Sequence, residues 1–272
     1  VYLNGTLVSN TTDTSQQVVV GADGHYNITV RAVDYAGNSK TVWILITVDT
    51  EPPELTVVSP SNGSYVASRE FNVSWVATDN YGVAYTEVYL NGTLVSNTTD
   101  TSQQVVVGAD GHYLIVIMVY DFAGNVKRLV LIIIVDTSPP VIVDVKYPSS
   151  VMINEKVTIE AWVYDDLSGV DRVILTYWLS DEEGTNVTME LIGDHYYATI
   201  LCKCLGTLKF KLFAIDYIGN AISSSEYTIV VEKPPEKLPM LHVLMLTVGC
   251  VGVVAIIFIL LWRNRFRLRI EG

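Results

Sequence analysis

Histidine and cysteine are scarce in this 272-residue chain, which has four of the first and three of the second. His25, His112, His195 and His242 stand in no context with a nucleophile and an orienting acid, and no GxSxG, HExxH, P-loop or GxGxxG occurs. These absences argue against an enzyme within these residues. Cys202 and Cys204 are two apart on a strand-like run and Cys250 lies in an apolar stretch. Neighbours at i, i+2 share a face but rarely bridge, and the set lacks CxxC spacing, so neither a disulfide framework nor a zinc site is expected. Helical periodicity is missing from the first 230 residues. Basic residues are few: the net charge is −12, and the last ten residues alone carry four Arg against one Glu, leaving about −15 for the rest. Such an acidic body excludes a phosphate-backbone binder, so no nucleic-acid partner is expected.

What is present is repetition. VYLNGTLVSNTTDTSQQVVVGADGHY occurs twice, as Val1–Tyr26 and as Val88–Tyr113. The offset of 87 persists beyond the identical block. Asp34-Tyr-Ala-Gly-Asn38 recurs as Asp121-Phe-Ala-Gly-Asn125, and Asp49-Thr-Glu-Pro-Pro53 as Asp136-Thr-Ser-Pro-Pro140. It also carries Trp75 to Trp162, Asp79 to Asp166 and Gly82-Val83 to Gly169-Val170. A third, diverged unit therefore follows, with Asp216-Tyr-Ile-Gly-Asn220 displaced by about eight further residues, which are expected in the loop around Ser180–Asn186. A period this long is the size of one β-sandwich rather than of a solenoid repeat.

Within the unit that starts at Glu54, alternating Val/Ile/Thr/Tyr-rich runs predict about seven strands: 55–59, 71–77, 83–90, 93–96, 103–107, 112–120 and 126–135. Phe71, Val73 and Trp75 should point inward. Asn91-Gly92 reads as a type I′ hairpin turn, which requires φ > 0 at both residues. The Asp-Thr-x-Pro-Pro segments are stiff, extended linkers, since proline presets φ and restricts its predecessor. The resulting fold class is all-β: tandem sandwiches, partial over 1–50, complete over 51–137 and 138–232. Val1 opens inside a strand-like run, and no initiator Met or leader precedes it, so the sequence reads as the C-terminal piece of a longer product.

FNVSW followed by ATDNYGV, the late VYDFAGN and the DTxPP boundary resemble the Ig-like and fibronectin type III-like repeats of prokaryotic, by composition archaeal-leaning, cell-surface proteins. The resemblance covers residues 1–232. It implies spacers, stalks or adhesive modules, with Trp75 and Trp162 as the core tryptophan of the second strand and Asp34, Asp121 and Asp216 opening the last hairpin.

After a linker at 233–240, Leu241–Trp262 gives 22 residues without Asp, Glu, Lys or Arg. At 1.5 Å per residue a helix here reaches about 33 Å, enough for a hydrocarbon core of about 30 Å. Arg263, Arg265, Arg267 and Arg269 follow at once, and flanking basic residues stay in the cytoplasm. A single-pass cell-membrane anchor is expected, with the repeats outside and residues 263–272 as a short cytoplasmic tail. The expected function is a non-catalytic stalk or adhesion region presenting something further N-terminal. The alternatives are the stalk of an exported protease or glycoside hydrolase and a surface ligand receptor.

Three surface features could carry binding. Sequons begin at Asn4, Asn10, Asn27, Asn62, Asn72, Asn91, Asn97 and Asn186, eight of fourteen asparagines, where chance would give about two. N-glycosylation of some is one reading and Asn-rich turn chemistry the other. Asp49, Asp79, Asp136 and Asp166, with Asp121 and Asp165 beside them, fall at turns and joints, which raises calcium. Without a DxDxDG loop, Asx-turn capping is the stronger reading, and no cofactor is expected. Finally, the outward positions Asn27, Thr29 and Arg31 of the first unit become Leu114, Val116 and Met118 in the second, with Tyr120 beyond. That face should pack on another chain, a neighbouring unit or the membrane surface, the alternative being sequence drift without a partner; other surface proteins or glycans are the partners the first reading suggests.

Overall fold

A computed structural model describes residues 1–179 and 184–235. The expected span at 241–262, its arginines and the linker from 236 on lie outside the described residues, among which no helix is long and apolar enough to cross a membrane.

The first unit is one antiparallel sheet of β1 (Tyr2–Leu3), β2 (Thr6–Leu7), β3 (Gly24–Val33) and β4 (Ser39–Val48), ordered β2-β1-β3-β4. No second sheet covers it among the described residues. Val30, Val42 and Ile44 on one face and Trp43 and Leu45 on the other are all exposed.

The second unit closes into a sandwich. Its strands are β5 (Glu54–Ser59), β6 (Tyr65–Val66), β7 (Glu70–Thr78), β8 (Val83–Leu90), β9 (Thr93–Thr98), β10 (Ser102–Val106), β11 (Gly111–Asp121) and β12 (Val126–Val135). One sheet runs β10-β7-β5, the other β6-β12-β11-β8-β9. Between them Val73, Trp75, Val88, Val105, Ile115, Ile117, Leu131 and Ile133 form the core. The strand alternation is the cause: every second side chain of each strand is apolar and faces the opposite sheet. Short β6, which pairs in parallel with the end of β12, has no hydrophobic pattern of its own and escapes a sequence reading. Asn91 and Gly92 have φ of 48° and 83°, the geometry a type I′ turn demands.

The third unit contains β13 (Val141–Lys146), β14 (Ser150–Met152), β15 (Lys156–Tyr164), β16 (Val170–Leu179), β17 (Thr185–Thr188), β18 (Glu190–Ile192), β19 (His195–Leu201), β20 (Gly206–Asp216), β21 (Ala221–Ser223) and β22 (Tyr227–Glu232). Its sheets are β13-β15-β19-β18 and β14-β22-β20-β16-β17, with β21 against β20. Part of its extra length goes to β18 and the turn at Gly193-Asp194 rather than to the 180–186 loop, giving the smaller sheet a fourth strand.

Two expectations are corrected here. Trp75 is buried at 2% exposure, but Trp162 stands at 43% on the outer face, and Ala161 occupies the inward position. Likewise the turn residue matching Asp79 is Asp165, not the exposed Asp166. Asp79 Oδ1 accepts the amides of Tyr81 and Gly82, and Asp165 Oδ1 those of Leu167 and Gly169. The turn after β15 holds one more residue than the turn after β7. The offset between structural counterparts is therefore one shorter before that turn than after it, and a side-chain period of two sends the slipped tryptophan to the other face.

Candidate functional site

The residues singled out at the joints converge. In the last hairpin, Asp121 Oδ1 accepts the amides of Ala123, Gly124 and Asn125, at 2.7–2.9 Å, and Oδ2 accepts Asn125 Nδ2. Asp216 repeats this with Ile218, Gly219 and Asn220. Burial opposes ionisation of Asp121, but the Asn125 side chain and these amides together bring its carboxyl below the usual value.

The asparagine that ends each motif has a second role that sequence reading misses. Asn125 Nδ2 also donates to the carbonyls of Asp49 and Glu51, both 3.2 Å, and so grips the linker that precedes its own sandwich. Asn220 Nδ2 does the same to Asp136 and Ser138. The signal was available, since DxxGN and DTxPP recur together at one offset. From the other side, the aspartate of Gly-Ala-Asp-Gly holds the linker threonine. Asp23 accepts the Thr50 amide and hydroxyl, and Asp110 the Thr137 amide and hydroxyl plus the Ser138 hydroxyl and Arg69 Nε. Burial pushes the Asp110 carboxyl up, yet Ser138, Thr137 and Arg69 outweigh it and hold it far below the ordinary range. Each linker is thus pinned by the unit before it and the unit after it.

The linker aspartate then meets two carboxylates of the following sandwich. Oxygens of Asp49, Asp79 and Asp121 lie within 4.8 Å of one another, as do those of Asp136, Asp165 and Asp216. None of the six takes part in an ion pair with Lys, Arg or His among the described residues. Of the four sequence candidates, Asp49 and Asp79 share one cluster, Asp136 belongs to the other, and Asp166 belongs to neither. Both clusters contain only oxygen donors, the donor type of hard cations.

The two clusters differ at one atom. Asp49 is 8% exposed; its Oδ1 accepts the Glu51 amide at 3.2 Å, and its Oδ2 is buried with no hydrogen-bond partner among the described residues. Asp136 Oδ1 likewise accepts the Ser138 amide, but its Oδ2 accepts the amide of Ser168 at 3.1 Å. Ser168 lies in the turn that carries the extra residue. Burial raises the Asp49 carboxyl, the Glu51 amide offsets this only in part, and the charges of Asp79, Asp121 and Asp23 push it up further. Beside this cluster a cleft of about 210 Å³ is lined by His25, Thr47, Asp49, Tyr81, Phe122 and Ala123, with the His25 ring edge-on to Tyr81.

The other candidates are dispersed. All eight sequon asparagines are exposed; Asn4 and Asn91 use Oδ1 to accept the amides of Asn27 and Leu114 across their hairpins. On the outer face of the larger sheet of the second sandwich, Leu114 is exposed and Met118 half-buried. Val116 is itself buried, between Tyr89 and Val130 on the flanking strands. Tyr120 stacks on Tyr85, and its hydroxyl, like that of Tyr89, donates to Glu87. Cys202 is buried and Cys204 exposed, both as free thiols.

Residues 53–113 match the bacterial Ig domain family. A 135-residue stretch is 33% identical to chitinase A1 of Niallia circulans, covering 45% of this chain and 18% of that protein. A 95-residue stretch is 39% identical to chitinase Chi52 of Paenibacillus xylanexedens, covering 34% and 18%. The chain therefore spans under a fifth of the length of these curated relatives. Among solved structures, the fibronectin(III)-like modules of Clostridium thermocellum CbhA align over 66% of this chain and 95% of theirs, at 23% identity and a TM-score of 0.40. A tetra-tandem repeat from the extending region of a large adhesion protein aligns over 76% and 57%, at 19% identity and a TM-score of 0.34. The described chain is all-β, a single sheet followed by two β-sandwiches in tandem of Ig-like, fibronectin type III-like kind, with the family match falling on the first sandwich.

Proposed function

We propose that this chain is a non-catalytic stalk that holds a more N-terminal region away from a membrane, anchored through Leu241–Trp262 with the arginines after it on the cytoplasmic side. The observation that carries the stalk reading is the doubly pinned linker. A connector gripped by Asp23 and Asn125, and again by Asp110 and Asn220, sets the spacing of successive units, which a spacer needs and a freely jointed chain lacks. The acidic, sequon-rich surface suits an exported, glycosylated protein. On intact cells making the full chain, added protease should trim the sandwiches and leave the apolar C-terminal fragment in the membrane fraction. Sandwiches that resist trimming, or protein that stays in solution without detergent, would overturn the anchoring.

The chitinase relatives favour one second reading: a spacer within a glycan-degrading enzyme whose catalytic domain lies elsewhere. A glycoside hydrolase signature in the coding sequence upstream of Val1 would select it. In either case the 272 residues themselves should show no hydrolysis of chitin or peptide substrates, and measurable turnover by them would defeat both readings.

A further inference from the structure

Oδ2 of Asp49 is the single buried side-chain oxygen or nitrogen without a partner among the described residues. It belongs to a carboxylate that sits with two others, and no Lys, Arg or His among the described residues is paired with any of them. An unpaired buried polar atom in a knot of like charges is costly, and native structures keep few such groups without a ligand or a functional reason. The second joint shows how the same fold removes the cost internally: one added residue in the turn after β15 brings the Ser168 amide onto the matching oxygen of Asp136.

We propose that the joint between the first and second units binds a calcium ion through Asp49, Asp79 and Asp121, with Asp49 Oδ2 as the oxygen left free for it, and that the second joint is the metal-independent form of the same device. Calcium fits better than the alternatives. The donors are all oxygen, which disfavours zinc. Asp79 and Asp121 are already tied to turn amides and cannot be rearranged into the near-ideal octahedron that magnesium demands, whereas calcium accepts six to eight oxygens in irregular geometry and takes water for the remainder. Three carboxylates, two of them already committed to turn amides, suit the weak range of extracellular modules, a Kd of about 10⁻⁴–10⁻³ M. The ion would bridge the linker to the turn after β7 and to the last hairpin, locking the first unit's exit onto the second sandwich. This inference concerns the joint alone and holds whether or not the chain is anchored in a membrane.

The test uses the full chain in detergent, freed of metal with EDTA. Calcium at about ten times its Kd should favour the folded state about elevenfold and raise the melting temperature by about 3–5 °C. Magnesium at the same concentration should do much less, and calorimetric titration should show one site per chain. Asp49→Asn should abolish the calcium response while being at least as stable as the metal-free parent, because it removes a buried charge rather than a fold-forming group. Asp136→Asn should leave the response intact. The inference is overturned if calcium neither binds nor shifts the melting temperature, if Asp49→Asn keeps the response, or if Asp136→Asn is the variant that loses it.

Discussion

Residues 1–26 and 88–113 are the same twenty-six amino acids in two surroundings, and they do not adopt the same structure. Asn4-Gly5 and Asn91-Gly92 form the same turn, with φ of 49° and 84° against 48° and 83°. Asp23 and Asp110 both cap the linker threonine. Yet Ser102–Val106 is a strand with Val105 at 2% exposure, while the identical Ser15–Val19 is no strand at all. Likewise Thr93–Thr98 is paired along its length where its copy pairs only at Thr6–Leu7. The difference is the neighbour. Strand β10 exists because β7 offers it a ladder and a core face, and no described residue offers the first copy either. A turn is a local decision of φ and side-chain capping; a strand needs a partner, and its propensity largely measures how well it packs on one.

The sharpest way to break this comparison is to damage β7. Trp75→Ala should cost the second sandwich about 3–5 kcal/mol, as expected for a fully buried large aromatic, whereas Trp162→Ala on the outer face should cost below about 1 kcal/mol; denaturant unfolding of both variants checks this. If both cost the same, the assignment of the core face is wrong.

Hydrogen exchange sharpens it without any mutation. The amides of residues 102–106 that bond to β7 should exchange at least about 100-fold more slowly than those of residues 15–19, though the sequences are identical and intrinsic rates match. In Trp75→Ala the gap should narrow. Equal protection in the parent would mean that the segment carries its strand state within itself.

Acid should produce the mildest contrast. Asp110 and Asp121 have depressed carboxyls, so their stabilisation is complete above the unfolded value of about 3.9 and is lost as pH falls through it toward the folded value. Asp49 runs the other way: its folded value is raised, so its charge destabilises at neutral pH and protonation relieves that first. In EDTA the melting temperature should therefore hold or rise slightly as pH drops from 7 toward about 4.5, then fall by several degrees below about 4. A steady fall from pH 7 would show that Asp49 is not the buried, unsatisfied group described here.

Much of the architecture was legible beforehand, and the reasons are particular. Alternation in Phe71–Ala77 marks a strand because a half-buried strand must alternate, and Asn91-Gly92 marks its turn because few residues tolerate φ > 0. Asp121 was legible as a turn cap. What was not legible follows from single-residue shifts and from distance. One added residue after β15 moved Trp162 to the outside and put Asp165 in the place given to Asp166, and no propensity reports an insertion of one. Asn125 was quoted within its motif, but its grip on Asp49 and Glu51 spans more than seventy residues and is invisible to local pattern.

The amino-acid order determined the units, their turns and the Pro-Pro stiffness of the linkers, because those rest on backbone torsions and on capping within four or five residues. Tertiary structure alone decided which of two identical segments became a strand, which face each tryptophan took, and which of two equivalent aspartates kept a free oxygen. Each of those outcomes depends on a partner supplied from far along the chain, and the segment itself carries no record of whether the partner will be there.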